Sequence, residues 1–253
     1  MTLRAAISTP GGKQRYVRQL FSTIADRYDV ITVALSYGQD RRWKRRLIAL
    51  AGIDGRDTVL DLACGTGDLL FAAAPHARVA VGLDLTHRML QLARRRQGLG
   101  ATTTHHPPPT THHLIQGDMG ALPFAGEQFT VVTTGYGLRN VPDLPRAIAE
   151  IHRVLAPGGR LLSLDFNKPA DAVVRGLYLG YLTVVGSALG LLLHGDPDTY
   201  RYIPESIRLY PGAAGVVRLL EEGGFSDVRA LPVLGGLMAI HTARKAGPET
   251  PFT

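Results

Sequence analysis

The chain has 253 residues, with 28 Lys and Arg against 21 Asp and Glu, a formal net charge of +7, 45% apolar residues and one cysteine. That length supports one large domain or two small ones around a full core, and the composition excludes intrinsic disorder. One cysteine excludes an intrachain disulfide framework and a cysteine-based zinc ribbon. The positive balance suits nucleic acid, anionic headgroups or only a solvated Arg-rich surface, and does not choose among them. Residues 1–21 hold no apolar signal region, so the expected location is cytoplasmic.

In chain order, the first marked feature is RRWKRR at 41–46, five positive charges around a Trp. It reads either as an amphipathic element lying on an anionic surface or as a solvated helix face whose Trp packs inward. Residues 58–62 (TVLDL) predict a strand, 63–68 (ACGTGD) a glycine loop, and 69–74 a helix. A second strand at 78–83 ends in Asp84, and Thr86 can cap a helix running to about Arg96. Strand, glycine loop, helix, strand is a βαβ unit. The stretch 98–113 (GLGATTTHHPPPTTHH) predicts an exposed loop. Its His105, His106, His112 and His113 could meet a metal, but no acid lies within the stretch, so a polar insertion is the preferred reading.

Strands follow at 113–117, with Asp118 at its end, and at 128–134, followed by the turn Gly135-Tyr136-Gly137. Residues 144–155 predict an amphipathic helix stopped by Pro157-Gly158-Gly159, and 160–166 a fifth strand. The run 176–193 has eighteen residues without a charge, barely a bilayer's worth. Its four glycines weaken it as an independent helix. It reads as a bilayer span, a buried lid helix, or a lid that also touches lipid; the last is preferred. A late helix at 212–222 and strands at 225–231 and 234–242 close the chain. Strands alternating with helices argue an α/β fold with a mostly parallel sheet.

The glycine loop restricts the ligand. A dinucleotide fingerprint needs a third glycine at position 70, where Leu70 stands, and Asp68 at the helix start would repel a phosphate. A ligand without phosphates and with a cationic or neutral end fits, and S-adenosylmethionine is such a ligand. Asp84 is placed to accept from two ribose hydroxyls, and Asp118 from an adenine amino group. The Met119 N–H would face a ring nitrogen, and Gly135 would end its strand beside the ligand. These positions at successive strand ends point to a methyltransferase of the Rossmann-like class. Cys64 reads as a packing residue, because methyl transfer needs no covalent enzyme intermediate.

Several stretches resemble the ubiquinone/menaquinone C-methyltransferase family over roughly residues 13–243. They are Tyr28-Asp29 with Leu35-Ser36-Tyr37-Gly38 and Trp43-Lys44, VLDLACGTGDL at 59–69, ALPF at 121–124, GYGLRNVPDLPRAIAEIHRVLAPGGRLLSLDFNKP at 135–169, and DTYRYIPESIRLYP at 198–211. GLRNV and YRYIPESIR are the family-specific runs; the 135–169 stretch is also similar to the phylloquinone branch. The chain departs from the pattern in Val30-Ile31-Thr32-Val33, which lacks an Asn, and in the His-rich insertion.

The resemblance implies a class I methyltransferase fold: a mostly parallel seven-stranded sheet with helices on both faces. It implies an N-terminal helical cap over the site at 1–50, a methyltransferase domain at 51–253, and an apolar lid insertion around 171–211. The cofactor would be S-adenosylmethionine, held by Asp61, Gly65, Thr66, Gly67, Asp84, Asp118, Met119 and Gly135, with no metal. The implied reaction is methyl transfer to a ring carbon of a polyprenylated hydroquinone, demethylmenaquinol first, with a phylloquinone or ubiquinone precursor or another lipophilic molecule as alternatives. A non-catalytic quinone-binding assembly protein is the alternative of another class. A phenol-like ring needs a base, direct or through water, and a donor that stabilises its oxyanion. Arg139 and Asn140 are the candidates, with Tyr28 closing the pocket or relaying a proton. Tyr136, Tyr200, Arg201 and Arg208 would line the substrate side. The expected partners are the lipid-soluble hydroquinone and an anionic membrane surface touched peripherally, with no nucleic acid; a homo-oligomer is allowed.

Overall fold

A computed structural model of the chain describes residues 3–36, 38–103 and 111–247. Four helices come first: α1 (Leu3–Ala6), α2 (Pro10–Ile24), α3 (Tyr28–Leu35) and α4 (Asp40–Ala51). The alternating part follows as β1 (Thr58–Leu62), α5 (Asp68–Ala73), β2 (Val79–Asp84), α6 (His87–Thr103), β3 (Thr111–Gln116), β4 (Phe129–Gly135), α7 (Leu144–Val154) and β5 (Leu155–Phe166). Then come α8 (Ala172–His194), α9 (Tyr202–Leu209), α10 (Gly212–Glu222), β6 (Phe225–Val233) and β7 (Met238–Lys245). Capping is local: Thr9 Oγ1 accepts from Gly12 N at 3.2 Å, with Pro10 opening α2, and Asp171 caps α8 by accepting from the N–H groups of Val173 and Val174.

The seven strands form one sheet in the order β3-β2-β1-β4-β5-β7-β6. The first five are parallel, and β7 lies antiparallel between β5 and β6. The chain winds outward from β1 through β2 to β3, then crosses back to β4. The crevice beyond the carboxyl ends of β1 and β4 is therefore the switch point, where doubly wound sheets bind ligands.

Four elements differ from expectation. The last strand, expected at 234–242, runs Met238–Lys245, because Leu234–Gly236 form a 3-10 turn with Gly235 at φ +63° and Gly236 at +88°. α6 continues past Arg96 to Thr103, because Gly98 and Gly100 weaken a helix without breaking it. With β3 starting at Thr111, the expected loop at 98–113 is helix at one end and strand at the other, and its middle, with His105 and His106, lies outside the described residues. His112 pairs in register with Ala80 and its ring meets Phe71 edge-on at 5.6 Å, while His113 pairs with Val81. β5 starts at Leu155, before the Pro-Gly-Gly turn, with a register shift against β4 between Phe129 and Val131.

Two clusters of buried side chains cover the sheet, one running through α7 and α10, the other through α4 and α5. α4 is part of the sheet's own core: Trp43, Leu47 and Ala51 are buried with Val59, Leu69 and Leu70. Trp43 and Lys44 point inward and Arg41, Arg42, Arg45 and Arg46 stay exposed, so the basic run is a helix with an inward Trp. A third cluster joins α2 and α3 to α8 and α9, through Leu20, Ile24 and Ile31 against Leu179, Leu182 and Tyr202. Two of the four α8 glycines allow close packing: a Cβ at Gly190 would stand 2.5 Å from Asp196 O, and one at Gly186 would stand 3.2 Å from Tyr200 Cβ, whereas Gly176 and Gly180 meet nothing within 4 Å.

Leu47 is fully buried between α4 and the sheet. Leu47→Ala should cost about 2–5 kcal/mol of stability, read as a lowered urea midpoint at unchanged slope.

Candidate active site

The loop after β1 is held in a strained turn. Ala63 has φ +52°, Gly65 +55° and Gly67 +92°; only glycine adopts such angles without cost. Gly67 also lies so close to Phe71 that a Cβ would come within 2.4 Å of its ring. Asp84, at the tip of β2, fastens the loop by accepting from Gly65 N at 2.9 Å and from Thr86 N at 2.7 Å. Burial pushes its carboxyl above the usual range, against the pull of those N–H groups.

Between these tips lies a cavity of about 700 Å³, open mouth included, lined by Gly65, Asp84, Asp118, Met119 and Gly135 among others. Five expected cofactor residues thus converge on one space. The helix α2 closes it. Gln14 donates from Nε2 to Asp118 Oδ2 at 2.5 Å, and Gly120 N donates to Asp118 Oδ1 at 2.8 Å. Gln14 was not expected in the site, and its helical stretch offered no motif to mark it.

A smaller cavity of about 310 Å³ continues from Gly65, Ala63 and Gly135 to Asp61, Thr66, Asp68 and Lys44. Asp61 is buried; Thr133 Oγ1 donates to its Oδ1 at 2.8 Å, and its Oδ2 has no partner. Burial pushes the Asp61 carboxyl up to about 7. An orphaned carboxylate oxygen beside a cavity suits a cationic group, such as the ammonium end of S-adenosylmethionine. Thr66 is tied outward: its Oγ1 donates to Asp29 Oδ1 at 3.1 Å, and Arg96 Nη1 donates to its carbonyl at 3.1 Å. Gly67 caps α5 and does not line the cavity. Lys44, weighed in the sequence only as surface charge, bridges Asp40 at 2.7 Å and Asp68 at 2.8 Å. Burial opposes its charge, but Tyr28, Asp40 and Asp68 outweigh that and hold the ammonium protonated. Burial drives the Cys64 thiol well above its ordinary range, so it is no nucleophile.

The third space, about 600 Å³, lies between α2 and α3 on one side and α9 with the 200–203 segment on the other. Its wall is almost wholly apolar and aromatic, and Arg139 is the one cation on it among the described residues. The guanidinium is buried. Arg139 Nε contacts Asp165 Oδ1 at 3.3 Å, its backbone N donates to Asp165 Oδ2 at 3.0 Å, and Nη1 donates to Ser206 Oγ. Its carbon stands 5.0 Å from the Phe166 ring centroid. Asp165 ends β5 as the expected acids end β1 and β2, so the strand-tip logic could have found it.

Tyr28 and Tyr136 border all three cavities. Tyr136 has φ +61°, and its hydroxyl donates to the buried Asp40 Oδ1 at 2.6 Å. Burial pushes the Tyr28 phenol up to about 12. Asn140 lines the first cavity; its Nδ2 donates to Tyr136 O at 2.7 Å, and its buried Oδ1 has no partner. Tyr200 lines the apolar cavity, with its hydroxyl 2.8 Å from His194 Nε2. Arg201 and Arg208 do not line it. Both are exposed; Arg201 pairs with Asp198 at 2.9 Å and Arg208 with Glu205. The turn of the chain from 200 to 208 carries Tyr200 and Tyr202 inward, which leaves the two arginines on the outer side.

Residues 10–245 match the family model described as the ubiE/COQ5 methyltransferase family. A demethylmenaquinone methyltransferase from Mycobacterium sp. (strain KMS) is 38% identical over 90% of this chain and 94% of its own. One from Thermus thermophilus is 40% identical over 88% and 98%. The ubiquinone/menaquinone biosynthesis C-methyltransferase UbiE of Marinomonas sp. is 35% identical over 92% of each. Among solved structures, a SAM-dependent methyltransferase from Thermotoga maritima superposes with a TM-score of 0.62 at 14% identity, covering 90% of this chain and 99% of its own. One from Aquifex aeolicus gives 0.56 at 16%, covering 79% and 88%.

Asp61 generates a two-sided prediction. Its folded pKa lies above the usual carboxylate value, so the folded state holds a proton that the unfolded state has lost. Its contribution to stability is therefore lost as pH rises from about 4 to 7. Asp61→Asn should gain thermal stability over wild type at pH 8, with the gain shrinking towards pH 4. Calorimetric affinity for S-adenosylmethionine should fall about 10-fold or more, as expected when a hydrogen bond to a charged group is lost.

Proposed function

The chain belongs to the ubiE/COQ5 methyltransferase family, and from that premise we propose that it methylates a ring carbon of a polyprenylated hydroquinone, demethylmenaquinol to menaquinol. The relatives at 38–40% identity, named demethylmenaquinone methyltransferases, support this acceptor. The observation that carries the reading is the meeting of a strand-tip cavity that holds Asp84 and Asp118 with an almost wholly apolar one at Tyr28 and Tyr136.

Bound S-adenosylmethionine supplies an electrophilic methyl group. Asp84, Asp118 and the Met119 backbone would hold its nucleoside end, and the free Oδ2 of Asp61 its ammonium. The apolar cavity takes a greasy ring and excludes water. Arg139 cannot act as a base, since a guanidinium keeps its proton. It acts as a fixed cation that lowers the cost of charge on a ring oxygen, and in a dry cavity that effect is large. Asn140, with an unpartnered Oδ1, orients a hydroxyl or a water at the edge of the cofactor cavity.

α3, which walls the cavity, and α8, which packs in the same core cluster, present apolar side chains outward. On α8, Val173, Leu177, Val184 and Leu191 recur at helical spacing and are 58–72% exposed, and Leu192 is 79% exposed; Val30 and Val33 of α3 are exposed beside them. α8 is long and apolar enough to cross a membrane, yet its inner face packs into the third core cluster. This supports a helix that lies against a bilayer at the cytoplasmic face and passes the prenyl tail between lipid and cavity.

Three experiments test the reading. Quinones from a deletion strain, analysed by mass spectrometry, should lack one methyl, and wild type should restore it; unchanged quinones would sink the proposal. Arg139→Ala should lower purified turnover on the order of 10²–10³-fold, with Arg139→Lys between the two. Leu177→Asp with Leu192→Asp should weaken co-sedimentation with phosphatidylglycerol vesicles about 10-fold per position. Turnover of a short-chain, detergent-free quinol should be spared; equal vesicle binding by wild type and the double variant rejects the docking face.

A further inference from the structure

The apolar cavity contains a cation but no base. Among the described residues on its wall there is no carboxylate and no imidazole; the polar groups are Arg139, Thr32, Ser36 and tyrosines. The reaction nevertheless releases a proton. Methyl transfer forms a carbon–carbon bond to the ring and breaks the sulfur–methyl bond, whose electron pair stays on sulfur. The methylated ring carbon then carries both a hydrogen and a methyl. Restoring aromaticity breaks that C–H bond, its electron pair returns to the ring, and the proton must leave. The hydroxyl proton lent out before attack returns to the ring oxygen, so the net product is one proton, from carbon.

We propose that this proton leaves through the Tyr136 hydroxyl to Asp40. The inference rests on the hydroquinone reading above. Tyr136 borders the cofactor cavities and the apolar cavity at once, so its ring stands where the methyl and the acceptor carbon must meet. Its hydroxyl already donates to Asp40 Oδ1 at 2.6 Å. The phenol oxygen can accept one proton while passing its own to the carboxylate, and it never needs to ionise. Asp40 is 3% exposed and lines none of the three cavities, so it works only through a group that does. Its other oxygen, Oδ2, is paired with Lys44 at 2.7 Å. A carboxylate suffices as the final acceptor, because a proton whose loss restores an aromatic ring is acidic. The strained φ of +61° at Tyr136 is a backbone cost at the point where the geometry matters.

Two other groups fail the same requirements. Asp165 is buried and already accepts from Arg139 and from Phe166 N, and it does not line the cavity. Tyr200 has a basic neighbour, with its hydroxyl 2.8 Å from His194 Nε2, but it borders only the apolar cavity and not the cofactor's.

The test uses full-length protein and a quinol deuterated at the methylated carbon. Wild type should show no primary isotope effect, since a poised acceptor makes C–H cleavage fast. Tyr136→Phe and Asp40→Asn should each lower turnover roughly 10²-fold or more and expose a primary isotope effect. Calorimetric S-adenosylmethionine affinity should stay within a few-fold of wild type. Tyr200→Phe should show no isotope effect. The inference is overturned if Tyr136→Phe turns over without an isotope effect, if the effect appears in Tyr200→Phe instead, or if rate and cofactor affinity fall together. An inactive wild type sinks the hydroquinone reading itself, whereas an active wild type with unresponsive variants sinks only the proton path.

Discussion

A buried ion pair holds the site together. Arg139 is 4% exposed and Asp165 1%, and between them they join the loop after β4 to the end of β5. Through Ser206 the same guanidinium reaches α9, and through Phe166 and Tyr202 it is sandwiched by aromatic faces. Desolvating two charges is costly, and only a nearly complete set of partners makes such a pair tolerable. Lys13 brings a second cation to this loop, donating to the carbonyls of Arg139 at 3.0 Å and Val141 at 2.7 Å. Burial and the neighbouring Arg139 push that lysine down to about 8, against the pull of Asp165. The N-terminal helix α2, the sheet and α9 are thus all fastened to the short segment that carries Arg139. Removing one partner of the pair would leave the other charged and buried, which is strongly destabilising.

Backbone strain accompanies the electrostatic cost. Tyr136 sits in the left-handed region between two glycines, and a Cβ at Gly137 would fall 2.3 Å from Thr134 Oγ1. Ala63, in the loop after the neighbouring strand β1, is in the left-handed region too. Two strained turns therefore follow adjacent strands at the switch point, and the sheet beneath them over-determines both.

Local pattern made much of this legible. β1 and α10 lie where periodicity and turn residues put them, and the acids at strand tips border one cavity. What was not legible came from contacts between distant segments. Tyr136 and Asp40 are 96 positions apart, and Arg139 and Ser206 are 67 apart. Lys44 looked like one more charge in a basic run, although its i,i+4 partner Asp40 was a readable clue. Arg201 and Arg208 belonged to a family-specific run, and a shared motif does not say which side of a helix faces a cavity. The length of α6 was missed because glycine is a weak stop signal inside an otherwise good helix.

The third core cluster has a further consequence. The side chains that wall the apolar cavity are largely the ones that glue α2 and α3 to α8 and α9: Leu20, Ile24, Ile31, Leu35, Tyr200 and Tyr202 appear in both. Opening the cavity in water would expose that apolar surface at about 25 cal/mol per Å². Against a hydrocarbon phase the same opening costs little, because lipid replaces the lost contacts. On the proposed docked reading, the bilayer would therefore act as the solvent of the open form.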